Sequence, residues 1–259
     1  MCELMGMSAN VPTDICFSFA GLMQRGGRTG PHRDGWGVVF YEGKGYRLFR
    51  DSAPSSESEL ASLLRELPIK SCVVISHIRK ATRGTVSLEN THPFVRELWG
   101  RSWCFAHNGT LKGIRRWPLD FHRPVGTTDS EHAFCWLINA LRSRFRRPPR
   151  VETFWRHAYR LACELNTLGS FNFLLSDGRY MAAFCSTHLS WLTRCAPFGE
   201  AELVDDELRV DFSRLTQPSD VVTVVATRPL TRNEIWTTMA PGSMVVFADG
   251  RPWLAFGSS

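Results

Sequence analysis

A chain of 259 residues with 43% hydrophobic side chains can bury a substantial core, and although that length borders on two domains we expect one. No apolar run approaches the roughly 18 residues of a membrane span, and no basic N-terminal region precedes an apolar stretch with a small-residue cleavage site, so a cytoplasmic protein without a membrane partner is expected. The formal charge of +6 admits nucleic acid, but the arginine cluster at positions 142, 144, 146, 147 and 150 closes an amphipathic helix near Pro148-Pro149, where cations suit the helix dipole. It also lacks the interleaved aromatics of a single-strand binding groove, and no nucleic-acid partner is expected.

In chain order, Glu3 to Met7 reads as an apolar, strand-like start behind Met1-Cys2. Asp14 to Gln24 spaces Ile15, Phe19, Leu22 and Met23 as a helix ended by Arg25-Gly26-Gly27. Gly37 to Tyr41 and Tyr46 to Phe49 flank Glu42-Gly43-Lys44-Gly45 and predict a hairpin. Ser56 with Glu59 has the pattern of a capping box, before a helix whose stripe is Leu60, Leu63, Leu64 and Leu67 and which stops at Pro68. Ser71 to Ile78 and Arg101 to Ala106 read as buried strands. Thr128 with Glu131 opens a helix burying Phe134, Leu137, Ile138, Leu141 and Phe145, and a further helix carries Val151, Phe154, Trp155, Ala158, Leu161, Ala162 and Leu165. Strands follow: Phe171 to Ser176 and Arg179 to Cys185 around Asp177-Gly178, then Val221 to Ala226, Ile235 to Met239 and Met244 to Ala248. The layout is α+β, helices packed on antiparallel sheets, with no evident linker or repeat.

Eight cysteines carry no C-x-x-C pair, the eight histidines lack metal-ligand spacing, and neither a P-loop nor a G-x-G-x-x-G pattern is present. No metal or other cofactor is expected. Most of the cysteines sit in apolar runs as small hydrophobes, and Cys2 alone has a chemical setting. If Met1 is removed, Cys2 carries a thiol and a free α-amine of pKa about 7.7–8.0, close enough to neutral pH to take the thiol proton and return it to a leaving group.

Three segments at strand ends hold further candidates. Arg79, in Ser76 to Gly84, is either a bidentate carboxylate clamp or a solvated arginine. Asn108-Gly109, in Phe105 to Thr110, is either a pair of donors for an oxyanion or a simple turn. Asp129, in Gly126 to Glu131, is either the partner of an ammonium or an acidic residue in a helix's first turn.

Together, Met1-Cys2, H-I-R-x-A-T at 77–82, H-N-G at 107–109 and T-D-S-E at 128–131 resemble the class II glutamine amidotransferase domain of the N-terminal-nucleophile hydrolases. The resemblance implies a four-layer αββα sandwich with two packed antiparallel sheets, as a single domain over residues 2–259 after loss of Met1. It implies Cys2 as nucleophile with its own amine as base, and an oxyanion hole from Asn108 and the Gly109 N–H. Arg79 would hold the α-carboxylate of glutamine and Asp129 its α-ammonium, with Thr82 also in the substrate site. The products would be glutamate and ammonia by way of a Cys2 thioester. Lys80 and Arg83 depart from the aromatic and histidine common in sugar-phosphate members of that family. His92, and Arg33 to Gly37, are expected as scaffolding near the pocket. Nothing in the chain is left over for a synthase, so three readings stay open: ammonia supply to a separate synthase subunit, hydrolysis of glutamine or another γ-glutamyl amide, or a catalytically silent binding module.

Overall fold

The computed structural model describes residues 2–67, 69–81, 84–213 and 216–257. In chain order the elements are β1 (Glu3–Asp14), α1 (Cys16–Gln24), β2 (Trp36–Glu42), β3 (Gly45–Asp51), α2 (Glu59–Glu66), β4 (Lys70–Ile78), β5 (Phe94–Leu98) and β6 (Arg101–Leu111). They continue as α3 (Asp129–Arg144), α4 (Val151–Asn166), β7 (Gly169–Ser176), β8 (Tyr180–Cys185), β9 (Ser190–Cys195), β10 (Glu200–Glu202), β11 (Arg209–Asp211), β12 (Val221–Ala226), β13 (Thr237–Thr238), β14 (Ser243–Ala248) and β15 (Arg251–Phe256). One sheet has the order β13-β9-β12-β1-β4-β2-β3 and another β15-β14-β8-β7-β6-β5, with antiparallel pairing throughout, and β10-β11 is a separate ribbon.

Among the described residues, alternation along the strands generates three of the four buried apolar clusters, the fourth joining Phe17 and Ala20 of α1 to Ala201 and Leu203. Leu4, Val39, Val73 and Ile75 of the first sheet meet Cys104, Ala106, Leu174 and Ala183 of the second, forming the layer between them. The opposite faces of the same strands, through Met5, Met7, Val38, Phe40 and Val74, pack against Phe19, Leu22 and Met23 of α1 and Ala61 and Leu64 of α2. Phe105, Phe171, Phe173 and Phe184 of the second sheet pack against Phe134, Leu137 and Ile138 of α3 and Trp155, Ala158 and Leu165 of α4. Strands covered on both faces read as continuous apolar runs. The result is the four-layer αββα sandwich. Gly6 shows how tightly the sheets approach: a Cβ there would lie 2.7 Å from Met181 Sδ.

Several element boundaries differ from the sequence reading. Helix α1 begins at Cys16, whose N–H is held by Asp14 Oδ1 at 2.6 Å. The cap of α2 is Ser58, which accepts from Ala61 N, while Ser56 donates to Gly26 O. Of the leucine stripe only Leu64 is buried, because α2 covers the sheet with one edge and leaves Leu63 52% exposed; Pro68 lies outside the described residues. Thr128 does cap α3, but Glu131 turns back to Val125 N, Gly126 N and Arg96 instead of closing the box. Ile235 is exposed, and only Thr237–Thr238 of that stretch pairs as strand. The consequential difference is β6, which runs on to Leu111, so Asn108-Gly109 is the interior of a strand and no turn.

Candidate functional site

Cys2 stands one residue ahead of β1, the middle strand between β12 and β4, where Glu3 pairs with Ile78 and Met5 with Ala226. That register lays Cys2 against the backbone just past β4. Lys80 N donates to Cys2 Sγ at 3.3 Å, and the thiol points back at Lys80 O at 3.5 Å. The Cys2 nitrogen donates to Asn108 Oδ1 at 2.8 Å, across the gap between the sheets.

Asn108 is fully buried on β6. Its backbone oxygen accepts from Asn172 Nδ2 on β7 at 3.1 Å, and its Nδ2 faces Thr227 Oγ1 at 3.5 Å. Thr227, just past β12, in turn accepts from Leu4 N at 2.9 Å. An amide with its oxygen on an N–H and its nitrogen on a hydroxyl has one sensible orientation. Gly109 has a steric reason to be glycine, since a Cβ there would sit 1.9 Å from Ser170 O.

Arg79 is 3% exposed, and Nη1 donates to Thr85 O at 3.1 Å and Asp34 O at 3.4 Å. Its backbone is bracketed by Asp34 N and Gly35 O, and Asp34 Oδ2 accepts from Ala81 N, so the Arg33 to Gly37 segment does brace this loop. A Cβ on Gly84 would lie 3.6 Å from Arg79 Nη2 and 3.7 Å from Thr127 Oγ1, which puts the guanidinium near the approach to α3. Asp129 is the first residue of α3; Oδ2 accepts from Leu111 N at 2.7 Å and Oδ1 from Ser130 N at 2.9 Å. Its carboxylate is thereby pinned to the end of the strand that carries Asn108 and Gly109. The two sheets therefore bring Cys2 and Asn108 into direct contact, with Arg79 beside the loop that holds Sγ. Thr82 lies outside the described residues.

The family model for class II glutamine amidotransferases matches residues 1–259. This chain belongs to that family. It is 59% identical over 251 residues to a protein of Escherichia coli K12 named "Putative glutamine amidotransferase YafJ", covering 96% of this chain and 98% of that one. A Haemophilus influenzae relative of similar name is 47% identical over 250 residues, with 96% and 85% covered. The 2.0 Å crystal structure of a predicted glutamine amidotransferase from Pseudomonas aeruginosa superposes with a TM-score of 0.78 at 50% identity, covering 98% of this chain and all of that one. The glutamine phosphoribosylpyrophosphate amidotransferase of B. subtilis superposes at 0.60 with 16% identity over 98% of this chain and 49% of its own, a likeness of fold.

The electrostatics of this amidotransferase site follow from its burial. Burial pushes the Cys2 thiol up from its ordinary value, and the Lys80 N–H and Arg79 offset only part of that. The resting sulfur is therefore a thiol near neutral pH. Behind it, burial pushes His77 down to about 3 and His92 well below its usual range. His107 is lowered for the same reason, against the pull of Asp129. Neutral His77 donates from Nε2 to His107 O at 3.1 Å, and His107 Nδ1 meets Ser130 Oγ at 2.8 Å, so these rings join β4, β6 and α3 around the site. His92 packs against His77 with centroids 4.2 Å apart and ring planes tilted by 39°.

Sequence reasoning missed the residues that hold the site from behind. Glu3, 3% exposed, accepts from Arg25 Nη1 at 3.0 Å and from Arg228 Nε at 2.9 Å; Arg25, itself buried, also donates to Asp205. The visible signal was a lone carboxylate inside the apolar run at residues 2–7. Thr227 and Asn172 carried no signal, because each meets Asn108 only through strand pairing between distant segments, 119 residues away for Thr227 and 64 for Asn172. Among the described residues no cluster of three or more His, Cys, Asp or Glu side chains is arranged to hold a metal. No described helix is long and apolar enough to cross a membrane.

Proposed function

We propose that residues 2–259 act as one amide-hydrolysing domain that splits the side-chain amide of glutamine into glutamate and ammonia. The observation that carries this reading is the 2.8 Å hydrogen bond from the Cys2 nitrogen to Asn108 Oδ1. Once Met1 is gone, that nitrogen is an α-amine, and the bond fixes it beside its own thiol while turning Asn108 Nδ2 away as a donor.

The α-amine takes the thiol proton, and the thiolate attacks the γ-carbonyl. Asn108 Nδ2 and the Gly109 N–H receive the developing oxyanion. The ammonium then returns its proton to the departing nitrogen, ammonia leaves, and a Cys2 glutamyl thioester remains for water to cleave. Arg79 and Asp129 hold the α-carboxylate and α-ammonium of the glutamyl head, and Thr82 joins them. The hydrogen bonds that Arg79 and Asp129 make to backbone groups support this role, since they hold both charges in place before substrate arrives. When glutamine is the substrate, the ammonia passes to a separate acceptor.

The test is glutamate and ammonia release by protein whose intact mass shows Met1 absent. Turnover is expected from processed protein and none from protein that retains Met1. Equal activity in both would remove the α-amine from the mechanism.

A further inference from the structure

A cavity of about 570 Å³ opens beside Cys2, and its wall includes His32, His188, Ser190, Arg228 and Thr238. Neither Arg79 nor Asp129 lines it, so it meets Cys2 from a different side than the proposed glutamyl head group. Released ammonia needs about as much of such space as one water, roughly 10–15 Å³, and this solvent-open cleft is larger by more than an order of magnitude. Beside the acylated sulfur, the group not held by the head-group residues is the amine half of the amide.

Arg228 is the cation on that wall. Its Nε and Nη2 both bond Glu3 Oε1, at 2.9 and 2.7 Å, while the side chain stays 59% exposed. Glu3 is shared with Arg25, which also holds Asp205, so the four charges cancel and exert no long-range field. What Arg228 offers is local: a guanidinium pinned along one edge by Glu3, whose Nη1 edge remains to donate to an anion. Ser190, His188 and Thr238 add polar groups, and Leu189, Pro31 and Pro229 add apolar wall.

We propose that this cavity is the subsite for the amine half of a substituted γ-glutamyl amide, with Arg228 receiving a carboxylate on that half. The substrate class is a γ-glutamyl amino acid. This rests on the reading that Cys2 is the acylated nucleophile. The Cys2 Sγ to γ-carbon bond forms as the γ-carbon to nitrogen bond breaks. The thiol proton, held by the α-amine, goes to the leaving nitrogen, and a free amino acid departs through the cavity. Water cleaves the thioester, releasing glutamate and restoring the thiol.

The experiment compares kcat/KM for glutamine, γ-glutamylmethylamide and γ-glutamylglycine, read as released glutamate from Met1-free protein. γ-Glutamylglycine should exceed the methylamide by about tenfold, the scale of one charge-assisted hydrogen bond. Arg228→Gln should erase that ratio and Arg228→Lys restore part of it. Because Arg228 also braces Glu3, Thr238→Trp provides a second probe: by narrowing the cavity it should lower γ-glutamylglycine relative to glutamine. Equal rates for γ-glutamylglycine and the methylamide, or a ratio untouched by both Arg228→Gln and Thr238→Trp, overturn the inference. Turnover of glutamine with none of γ-glutamylglycine overturns it alone, whereas no glutamate from any of the three overturns the acyl-enzyme reading as well.

Discussion

The two sheets contribute to the site in different ways. The first sheet supplies groups from the ends of its strands: Cys2 ahead of β1, Arg79 and Lys80 past β4, Thr227 past β12. The second supplies Asn108 and Gly109 from within β6, with β7 paired alongside. Strand ends can be repositioned by their loops, whereas a residue inside a paired strand is fixed by the ladder. The moving parts of the proposed chemistry, the thiol and its proton carrier, thus sit on the adjustable side, and the oxyanion donors on the rigid one. If this division is right, damage to the first sheet's contribution should vary widely from residue to residue, while damage to β6 should appear in the transition state alone.

The largest effect should come from the nucleophile. Cys2→Ala should leave glutamate release down by several orders of magnitude, on the ~10⁶ scale of nucleophile deletions elsewhere, with circular dichroism unchanged. A residual rate within tenfold of the parent would place the chemistry on another residue.

Next in size is the join between the sheets. His77, His92 and His107 are neutral in the fold, chiefly because burial disfavours their charged forms. A group whose folded pKa is lowered leaves the unfolded chain holding more protons below about pH 6.5, so stability rises with pH up to that value and is lost as pH falls beneath it. For His77 the loss continues down to about pH 3. Each such histidine contributes up to about 1.4 kcal/mol per pH unit in that window. Urea melts at pH 7.5 and 5.5 should show it, and His77→Phe should flatten the dependence. A midpoint constant between those pH values would mean that the rings take up protons in the fold as readily as in the unfolded chain.

Asn108→Ala tests the rigid side directly. Loss of one oxyanion donor costs about 10²–10³ in kcat, or ~2.7–4 kcal/mol, and KM should scarcely move. The head-group residues should behave otherwise: Arg79→Ala and Asp129→Ala each remove a charged contact of about 1.5–3 kcal/mol, and the loss should enter KM. An Asn108→Ala variant that changed KM alone, or an Arg79→Ala variant that left KM untouched, would reverse the assignment of the two sides.

This contrast also explains what could be read before any coordinates. Helical and strand periodicity gave helices packed on antiparallel sheets, because each core is built from alternating faces of the same few strands, as Leu4 and Met5 show by pointing into different cores; the count of four layers came from the family resemblance. Cys2, Arg79 and Asp129 stood out as candidates because strand mouths and helix starts have local signatures. Asn108-Gly109 was legible as a candidate but misplaced as structure: Asn-Gly is a turn signal by local preference, and the β6–β7 ladder overrides it, with Gly109 suited to the approach of Ser170 O. Glu3, Arg25 and Arg228 could not be paired from sequence, since residues 3, 25 and 228 meet only after β1 has inserted between β4 and β12.

The smallest effect expected is also the one that separates the sheets most finely. Thr227 spans both: its backbone N–H donates to Leu4 O at 3.1 Å, its hydroxyl accepts from Leu4 N, and Asn108 Nδ2 reaches the same hydroxyl at the long distance of 3.5 Å. Thr227→Val keeps the volume and removes the hydroxyl, so Asn108 loses a weak tether of about 0.5–1.5 kcal/mol and kcat should fall roughly two- to tenfold. The buried Leu4 N–H is orphaned as well, which should lower the melting midpoint. Thr227→Ser keeps the hydroxyl and should recover most of kcat while leaving a small cavity, so activity and stability part company in that variant. If the serine variant recovered neither, Thr227 would be packing alone, and the orientation of Asn108 would rest on the Cys2 nitrogen and the β6 ladder without help from the first sheet.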